Sequence, residues 1–147
     1  NLENQNVFTI LNQTVTYLQN RLSSNVHIKL DNRSNDSTAP INCTLFEWVV
    51  ENICKNAADA MNGKGLIKIS LFNEADYLKI DISDTGKGLQ KSNFKRIFEP
   101  GFTTKKRGWG LGLSLSKRII EEYHLGRLYV KNSSKEGTTF RISLHRN

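Results

Sequence analysis

Residues 84–89, which read Asp-Thr-Gly-Lys-Gly-Leu, constrain the fold of this chain more than any other stretch. They follow residues 78–83, where apolar and polar residues alternate and predict a strand with one buried face. The carboxylate of Asp84 can accept a hydrogen bond from a ligand donor such as an exocyclic amine. Gly86 and Gly88 permit positive φ and let a ligand approach the backbone closely. An ordinary loop leaving a strand has the same pattern, so a pocket here needs support from elsewhere in the chain.

A second feature is a polar stripe on a helix predicted at residues 44–61. We expect Thr44 and Glu47 to form a capping box at its start. Asn52, Asn56 and Asp59 recur at spacings of four and three, so they lie on one stripe. The stripe carries short amide heads, which favours a row that faces a ligand, and a solvated polar face is the alternative. The apolar face beside it is expected to include Leu45, Trp48, Val49, Ile53, Ala57 and Ala60.

The third feature is a glycine-rich entry to a later helix. Residues 108–113 read Gly-Trp-Gly-Leu-Gly-Leu and open a helix that we expect to reach Tyr123. Free amides and the positive end of the helix dipole make such an entry a phosphate site, although it also suits a flexible hinge. The polar, irregular residues 89–109 precede it, and a connection of this length is typical of a lid or binding loop. Four apolar residues are expected to anchor that loop, namely Phe94, Ile97, Phe98 and Phe102. On the helix that follows, we expect the core-facing side to carry Leu111, Leu115, Ile119 and Ile120. The outward side is expected to carry Lys117, Arg118, Glu121 and Glu122.

The remaining patterns predict one helix and five further strands. Apolar residues at spacings of three and four predict a helix at residues 7–22. Alternation predicts strands at 26–30, 66–72, 127–131 and 138–144, and residues 66–72 pair with 77–83 as a hairpin. A proline favours a short edge strand at 40–43. The predicted fold is a two-layer α/β (α+β) sandwich, in which a mixed, mostly antiparallel sheet of about five strands carries three helices on one face.

Length and charge limit the classes of protein to consider. The 147 residues suit a single domain over 1–147, and the net charge of +7 favours anionic partners. The basic residues are dispersed, so we expect a solvated basic surface and no nucleic-acid binding. No apolar run approaches a membrane span, so direct membrane contact is not expected from these residues. Cys43 and Cys54 lack metal-ligand spacing, which suits reduced thiols in the cytoplasm. A start at Asn1 suggests part of a longer protein, and a membrane anchor of that parent would lie outside these residues.

Together these features favour a nucleotide site. Helical amides could hold Mg²⁺ through oxygen, the glycines could surround phosphates, and Asp84 could recognise the amine of adenine. The Walker pattern, the Rossmann fingerprint in its β-α setting and the protein-kinase motifs are all missing from the sequence.

Five segments in order resemble the motifs of one family. Residues 51–57 look like the N box, 84–88 the first glycine box, 97–105 the F box, 108–113 the second glycine box and 137–140 the closing glycine-threonine motif. In this respect the chain is similar to the catalytic, ATP-binding domain (Bergerat fold) of sensor histidine kinases, within the wider group of gyrase, the Hsp90 chaperones and MutL. The likeness spans nearly all of residues 7–145. Its implied ligands are ATP and Mg²⁺, and residues 89–109 would be the ATP lid.

The resemblance also implies a role for each matching residue. Asn56 would coordinate Mg²⁺ with Asn52 beside it, Lys55 would lie near the phosphates, and Asp84 would bind the adenine amine, helped through water by Thr139 or Thr138. Lys105 and the amides of the second glycine box would meet the polyphosphate. The implied catalytic residues are Asn52, Asn56 and Lys105. The implied nucleotide contacts are Asn52, Lys55, Asn56, Asp59, Asp84, Gly86, Gly88, Leu89, Phe98, Thr103, Thr104, Lys105, Gly108, Gly110, Leu111, Gly112, Leu113, Thr138 and Thr139.

Two departures from the family pattern bear on activity. The ATPase branch is expected to carry a glutamate base at the position of Asn52, so asparagine there favours phosphoryl transfer over hydrolysis. Glu51 is turned from that position by about 100° of helix. His27, His124 and His145 lie in no phosphoacceptor setting, and His27 falls on the polar side of its strand.

The expected function is therefore the catalytic domain of a two-component histidine kinase. Its partners would be ATP, a histidine-bearing dimerisation domain of the same homodimeric parent, and a response regulator. The alternatives that share the pocket are a nucleotide-driven ATPase, a non-catalytic adaptor, and a serine kinase of the anti-sigma or mitochondrial dehydrogenase-kinase type.

Overall fold

The computed structural model describes residues 1–102 and 112–146, which form three α-helices packed on a five-stranded sheet, with a separate two-stranded sheet. Two short 3-10 turns and one π-helical turn complete the regular structure of these residues. The elements are β1 (Glu3–Asn6), α1 (Val7–Gln19), β2 (Val26–Asn32), β3 (Thr38–Ile41), α2 (Cys43–Ala60), β4 (Gly65–Glu74), β5 (Tyr77–Asp84), 3-10 turns at Lys91–Asn93 and Arg96–Phe98, α3 (Gly112–Arg118) continuing as the π-helical turn Ile119–Tyr123, β6 (Arg127–Ser134) and β7 (Gly137–His145).

The main sheet has the order β2-β4-β5-β7-β6. Strands β2 and β4 run parallel, and every other neighbouring pair is antiparallel, which confirms the predicted mixed sheet. Its side chains alternate between a buried and an open face, as the period of two in a strand requires. The buried face is covered by the helices, so the predicted two-layer sandwich is also confirmed. In the described residues, no helix is long and apolar enough to cross a membrane.

The core lies between this sheet face and the helices. Strand residues Ile67, Ile69 and Ile80 are fully buried there, opposite Leu11 of α1 and Phe46 of α2. Burying an aliphatic or aromatic side chain of this size contributes about 1.5–3 kcal/mol relative to leaving it exposed. These contacts fix α2 against β4 and β5, which places its polar stripe beside the end of β5.

The start of α2 differs from the prediction. Asn42 is the N-cap residue, and its Oδ1 accepts a hydrogen bond from Leu45 N at 3.0 Å. Thr44 already lies inside the first turn, so the predicted capping box with Glu47 is wrong. Asparagine satisfies a free amide as well as threonine does, and the chain here begins its helix two residues earlier.

Two residues that we assigned to apolar faces are exposed. Trp48 of α2 is 38% exposed, and Leu115 of α3 is 43% exposed. The described helices cover one sheet face only, so the outer edge of each apolar stripe stays at the surface. Lys117 shows the opposite error, because it was expected to face outward and lies half-buried against β6.

The two-stranded sheet corrects the predicted edge strand. Strand β3 covers residues 38–41 and pairs with β1, which the sequence did not predict. Strand β1 reads Glu-Asn-Gln-Asn and has no apolar residue from which a period could be read.

Candidate functional site

Asp84 is the last residue of β5, and its carboxylate lies at the end of the sheet. The residue is only 7% exposed. Its Oδ1 accepts hydrogen bonds from Gly86 N at 2.8 Å and from Thr138 N at 3.3 Å. Burial raises the pKa of Asp84 above its usual value, and these two amides oppose that shift. The bonds hold the carboxylate in one orientation, and both described bonds end on the same oxygen.

The glycine turn after Asp84 packs against the end of α2. A Cβ on Gly86 would come within 2.8 Å of the Ala60 carbonyl, and Lys87 N donates to Ala60 O at 3.3 Å. Gly86 does not have positive φ, which corrects that part of the prediction, and its glycine is required by the approach of α2. Gly88 does have positive φ, at 82°, and a Cβ there would lie 1.9 Å from Ser134 O.

The hairpin between β6 and β7 closes the other side of Asp84. Gly137 has a φ of 144°, and a Cβ on it would lie 1.8 Å from Asp84 O, so only glycine allows this approach. The next residue, Thr138, is buried and bonds through Oγ1 to Ser133 Oγ at 2.8 Å. Ser133 Oγ also accepts from Leu89 N at 2.7 Å. Ser133 therefore links the start of the predicted lid to the hairpin, a contact that no sequence pattern indicated.

Thr139 lies on the wrong face of the sheet for the implied role. It pairs with Ser83, and the two hydroxyls are 2.7 Å apart on the open face. Thr138 points to the helix-covered face with Asp84. Of the two threonines named from the resemblance, Thr138 lies beside Asp84 and Thr139 does not, and a nucleotide contact by either of them stays a prediction.

The amide stripe of α2 is partly engaged by the protein itself. Asn56 Nδ2 donates to Asn52 O at 2.8 Å, one turn earlier. Asn52 Nδ2 donates to Ser116 Oγ of α3 at 3.0 Å. Since each amide nitrogen bonds to the protein, Oδ1 is the candidate ligand atom of each side chain. Lys55 and Asp59, on neighbouring positions, are both exposed.

The N-terminus of α3 packs directly on this stripe. A Cβ on Gly112 would come within 2.6 Å of Asn52 Oδ1. The positions Asn52, Asn56 and Ala60 are spaced by four residues, so they follow one another along a single face of α2. That face of α2 therefore contacts α3 at Asn52 and the glycine turn of residue 86 at Ala60.

Phe98, one of the residues expected to anchor the lid, is contacted by both the sheet and α3. Phe98 is buried, and its ring makes an edge contact with Phe140 at a centroid distance of 6.1 Å. The ammonium of Lys117 lies 4.7 Å from the centroid of the same ring and donates to Leu128 O at 2.7 Å. Phe98 is thus a packing residue that joins the F box to α3 and the sheet. The sequence analysis placed the Lys117 side chain in solvent and therefore missed its contact with Phe98.

The remaining implied residues have separate outcomes. Leu113 is half-buried against the core, and Leu89 is half-buried at the hairpin. Six implied contacts lie outside the described residues, namely Thr103, Thr104, Lys105, Gly108, Gly110 and Leu111.

The donor chemistry of the stripe fits Mg²⁺. This ion prefers oxygen ligands and is usually held by one or two protein oxygens, with water and substrate phosphates completing the octahedron. Asn56 offers such an oxygen, since its nitrogen bonds to Asn52 O. Within residues 1–102 and 112–146, no group of three or more His, Cys, Asp or Glu side chains could hold a metal ion.

Comparison with known proteins gives curated relatives that include several kinases. Sporulation kinase E of Bacillus subtilis is 37% identical over 146 residues, which cover 97% of this chain and 19% of that protein. The signal transduction histidine-protein kinase AtoS of Escherichia coli is 41% identical over 109 residues, covering 72% of this chain and 18% of that protein. The chain thus spans about a fifth of the length of these relatives.

Solved structures share the fold. The catalytic domain of histidine kinase ThkA superposes with a TM-score of 0.87 at 23% identity, covering 99% of this chain and 97% of that one. A further structure shows ThkA in complex with the response regulator protein TrrA, with a TM-score of 0.85, 22% identity, and coverage of 99% of this chain and 42% of that one. At this identity the likeness establishes the fold alone.

A family model described as histidine kinase-, DNA gyrase B- and HSP90-like ATPase matches residues 43–147. This segment begins at α2 and includes the amide stripe, Asp84 with its glycines, and both later glycine motifs. The chain therefore belongs to the family of histidine kinase-, DNA gyrase B- and HSP90-like ATPases.

Proposed function

We propose that this chain is the ATP-binding catalytic domain of a sensor histidine kinase. One observation carries the proposal: the amide face of α2 lies between α3 at Asn52 and the glycine turn at Ala60, with the buried carboxylate of Asp84 beside that turn. A carboxylate beside one end of this helix face and an amide row along it suit the base and the phosphates of a nucleotide. The curated relatives named above are kinases, which supports this choice within the family.

Asp84 would select adenine. An ionised carboxylate is an acceptor only, so it pairs with the exocyclic amine of adenine and opposes the carbonyl oxygen that guanine carries there. Thr138 N and Gly86 N hold one carboxylate oxygen, so the base would meet an oriented acceptor. Leu89 and the edge of the β6–β7 hairpin would border the base.

The phosphates and metal would lie along the amide stripe. Asn56 would offer Oδ1 to Mg²⁺ and Asn52 would lie beside it, with Lys55 close to the phosphates. Bound Mg²⁺ would supply neutralisation of the polyphosphate charge. Lys105 and the second glycine box are proposed to complete the phosphate contacts.

The reaction would be phosphoryl transfer rather than hydrolysis. The bond between the γ-phosphorus and the bridging oxygen breaks, a phosphorus–nitrogen bond forms to a histidine, and ADP leaves. Asn52 has no basic group with which to activate water, and catalysis would rest on positioning and charge. The base is expected from the acceptor domain.

The acceptor histidine would belong to another domain of the parent protein. His124 is buried, with Nδ1 bonded to Ile119 O at 2.9 Å and Nε2 accepting from Asn42 N at 3.1 Å. Both of its ring nitrogens are therefore occupied. We infer a separate dimerisation domain in a homodimeric, cytoplasmic kinase portion, and a response regulator as the next acceptor.

Calorimetry of this chain with ATP and GTP tests the nucleotide site. The wild type should bind ATP with Mg²⁺ in preference to GTP, and Asp84→Asn should bind ATP about 10- to 100-fold more weakly, since hydrogen bonds to charged groups contribute about 1.5–3 kcal/mol. Asp81→Asn is the matched control, because Asp81 lies on the open face of the same strand, bonded to Arg141. ATP binding that is absent in the wild type or unchanged in Asp84→Asn would contradict the proposal. Steady ATP turnover by this chain alone would instead favour the ATPase branch.

A further inference from the structure

We propose that Ser116 is a positioning residue of the nucleotide site, whose hydroxyl sets the orientation of the Asn52 amide. The inference rests on the proposed function, because Asn52 acquires its role from the bound phosphates and metal. Ser116 belongs to none of the five motifs that the sequence resembles, and it enters the site only through the packing of α3 on α2.

The contact is direct and sheltered from water. Ser116 is 0% exposed, and its Oγ lies 3.0 Å from Asn52 Nδ2, although the two residues are 64 positions apart. A buried hydroxyl costs free energy unless it is hydrogen-bonded, so alanine would serve packing alone at least as well. Serine at this position is therefore explained by its hydrogen bond to the amide.

A second contact on α3 limits the space around the Asn52 side chain. Gly112, one turn before Ser116 on α3, lies against Asn52 Oδ1 so closely that a Cβ would come within 2.6 Å. The backbone carbonyl of Asn52 accepts the hydrogen bond from Asn56 Nδ2, which links the next amide of the stripe to the same residue. Ser116 thus acts at the start of a chain of contacts that runs from α3 through Asn52 to Asn56.

The orientation has a chemical consequence. An amide group can present either its oxygen or its NH₂ to a ligand, and Mg²⁺ accepts only the oxygen. With Nδ2 bonded to Ser116, the Asn52 oxygen lies beside Gly112 at the N-terminus of α3, where the phosphates are proposed to bind. Without the hydroxyl, the amide can rotate and present its donor, which is the wrong end for a cation.

The first test uses the nucleotide-free protein. The Asn52 side-chain amide gives a pair of proton–nitrogen NMR signals, which the Asn52→Ala variant identifies by their loss. Ser116→Ala should shift this pair, whereas Ser114→Ala, at a half-buried serine of the same helix, should leave it unchanged. An Asn52 signal that is indifferent to Ser116→Ala would overturn the inference.

The second test compares ATP affinity with Mg²⁺ and in EDTA. Ser116→Ala should weaken Mg·ATP binding about 3- to 10-fold and leave the affinity in EDTA nearly unchanged, because a lost hydrogen bond of about 1 kcal/mol corresponds to about a fivefold change. In the Asn52→Ala background, Ser116→Ala should add no further loss. Equal weakening under both conditions, or full additivity, would indicate a packing role and overturn the inference.

Ser116→Cys separates the hydrogen bond from volume. Its thiol fills the same space and is a weak acceptor, so it should behave like Ser116→Ala, and wild-type binding by this variant would contradict the proposal. If the wild type binds no nucleotide, the proposed function fails and the inference with it. If the wild type binds and Ser116→Ala matches Ser114→Ala, the inference alone fails.

Discussion

Gly112, the first residue of α3, lies directly over the side-chain amide of Asn52 in α2. A Cβ at residue 112 would come within 2.6 Å of Asn52 Oδ1 and 2.9 Å of Nδ2. Gly112 does not have positive φ, so glycine is not required there by the backbone. Glycine is needed at position 112 because a side chain there would overlap the amide of Asn52 on α2.

Gly112→Ala should therefore separate stability from binding. Alanine has a higher helix propensity than glycine, by up to about 1 kcal/mol, which offsets a cost of about the same size for the lost hydrogen bond between Asn52 and Ser116, so the melting temperature should change little. The added methyl group displaces the Asn52 amide, and we expect Mg·ATP affinity to fall about 3- to 30-fold. Thermal unfolding and calorimetry on the same sample measure both quantities. Unchanged affinity would show that Asn52 does not meet the nucleotide.

Asn56→Ala tests the metal contact. The variant loses the side-chain oxygen proposed for Mg²⁺, so the affinity for ATP with Mg²⁺ should fall about tenfold while the affinity in EDTA stays nearly constant. Asn20→Ala is the control, because Asn20 Nδ2 also donates to a carbonyl four residues earlier, Thr16 O at 3.2 Å, but at the exposed end of α1. An equal loss with and without Mg²⁺ would indicate that Asn56 acts on the fold of α2 and not on the metal.

Asp84→Asn should raise stability at neutral pH even as it weakens ATP binding. Burial raises the pKa of Asp84, so the folded state holds the proton more tightly than the unfolded chain does. The stabilisation from this group is then complete below the unfolded value of 3.8 and is lost as pH rises through the folded pKa. Asparagine carries no charge and keeps an oxygen for Gly86 N and Thr138 N.

Urea unfolding of Asp84→Asn and the wild type at pH 7 and at pH 4 measures this effect. The variant should be the more stable protein at pH 7, and its advantage should shrink at pH 4, while the acid sensitivity of all other groups cancels in the comparison. An Asn variant that is less stable at both pH values would contradict the assignment of a buried, charged carboxylate.

Lys117→Met should destabilise the protein more than Arg118→Met does. Lys117 Nζ donates to Leu128 O, pairs with Glu121 Oε2 at 3.1 Å and lies over the Phe98 ring. Arg118 pairs with Glu122 at 3.7 Å, and both of those side chains are exposed. We expect about 1–2 kcal/mol for Lys117 and less than about 0.5 kcal/mol for Arg118. Equal free energies of unfolding for the two variants would refute the anchoring role of Lys117.

His124 should make the protein sensitive to mild acid. Burial lowers the pKa of His124, and the bond to Ile119 O opposes that shift. The unfolded chain then binds the proton more readily, so the contribution of the neutral ring is present above pH 6.5 and is lost as pH falls through the folded pKa. Protonation also removes the acceptor that Nε2 offers to Asn42 N, beside the N-cap of α2.

Melting temperatures at pH 7.5 and 5.5 measure that sensitivity. His124→Gln keeps a polar acceptor without a titrating ring, so its melting temperature should fall less between the two pH values than that of the wild type. His27→Gln is the control, since His27 is exposed on the open face of the sheet, and it should follow the wild type. Parallel curves for all three proteins would exclude His124 as the sensitive group.

Most strands could be predicted because a strand with one buried face shows apolar and polar residues in alternation along the sequence. Strands β4 and β5 alternate between buried and less buried residues along nearly their whole length, and the predicted hairpin is confirmed. Strand β1 lacks apolar residues, so it leaves no period in the sequence. It exists because it pairs with β3, a contact that bridges more than 30 residues of chain.

It was harder to assign which residues of an alternating strand face the site than to recognise the strand itself. The resemblance left Thr138 and Thr139 open as the adenine helper, and neighbouring strand residues face opposite sides. Gly137 and its close contact with Asp84 O decide the phase, because they bring Thr138 N to the carboxylate. The Thr139 hydroxyl then meets Ser83 on the open face.

By itself, the sequence determined the chain order of the three helices and of the five strands of the main sheet, the polar stripe of α2 and the carboxylate that ends β5, since these depend on local spacing. Tertiary structure alone decided that Ser116 bonds to Asn52, that Lys117 lies over Phe98 and that Ser133 holds Leu89. Such contacts join residues 19 to 64 positions apart, because their distances are set by how α3 and the hairpin pack on α2 and the sheet.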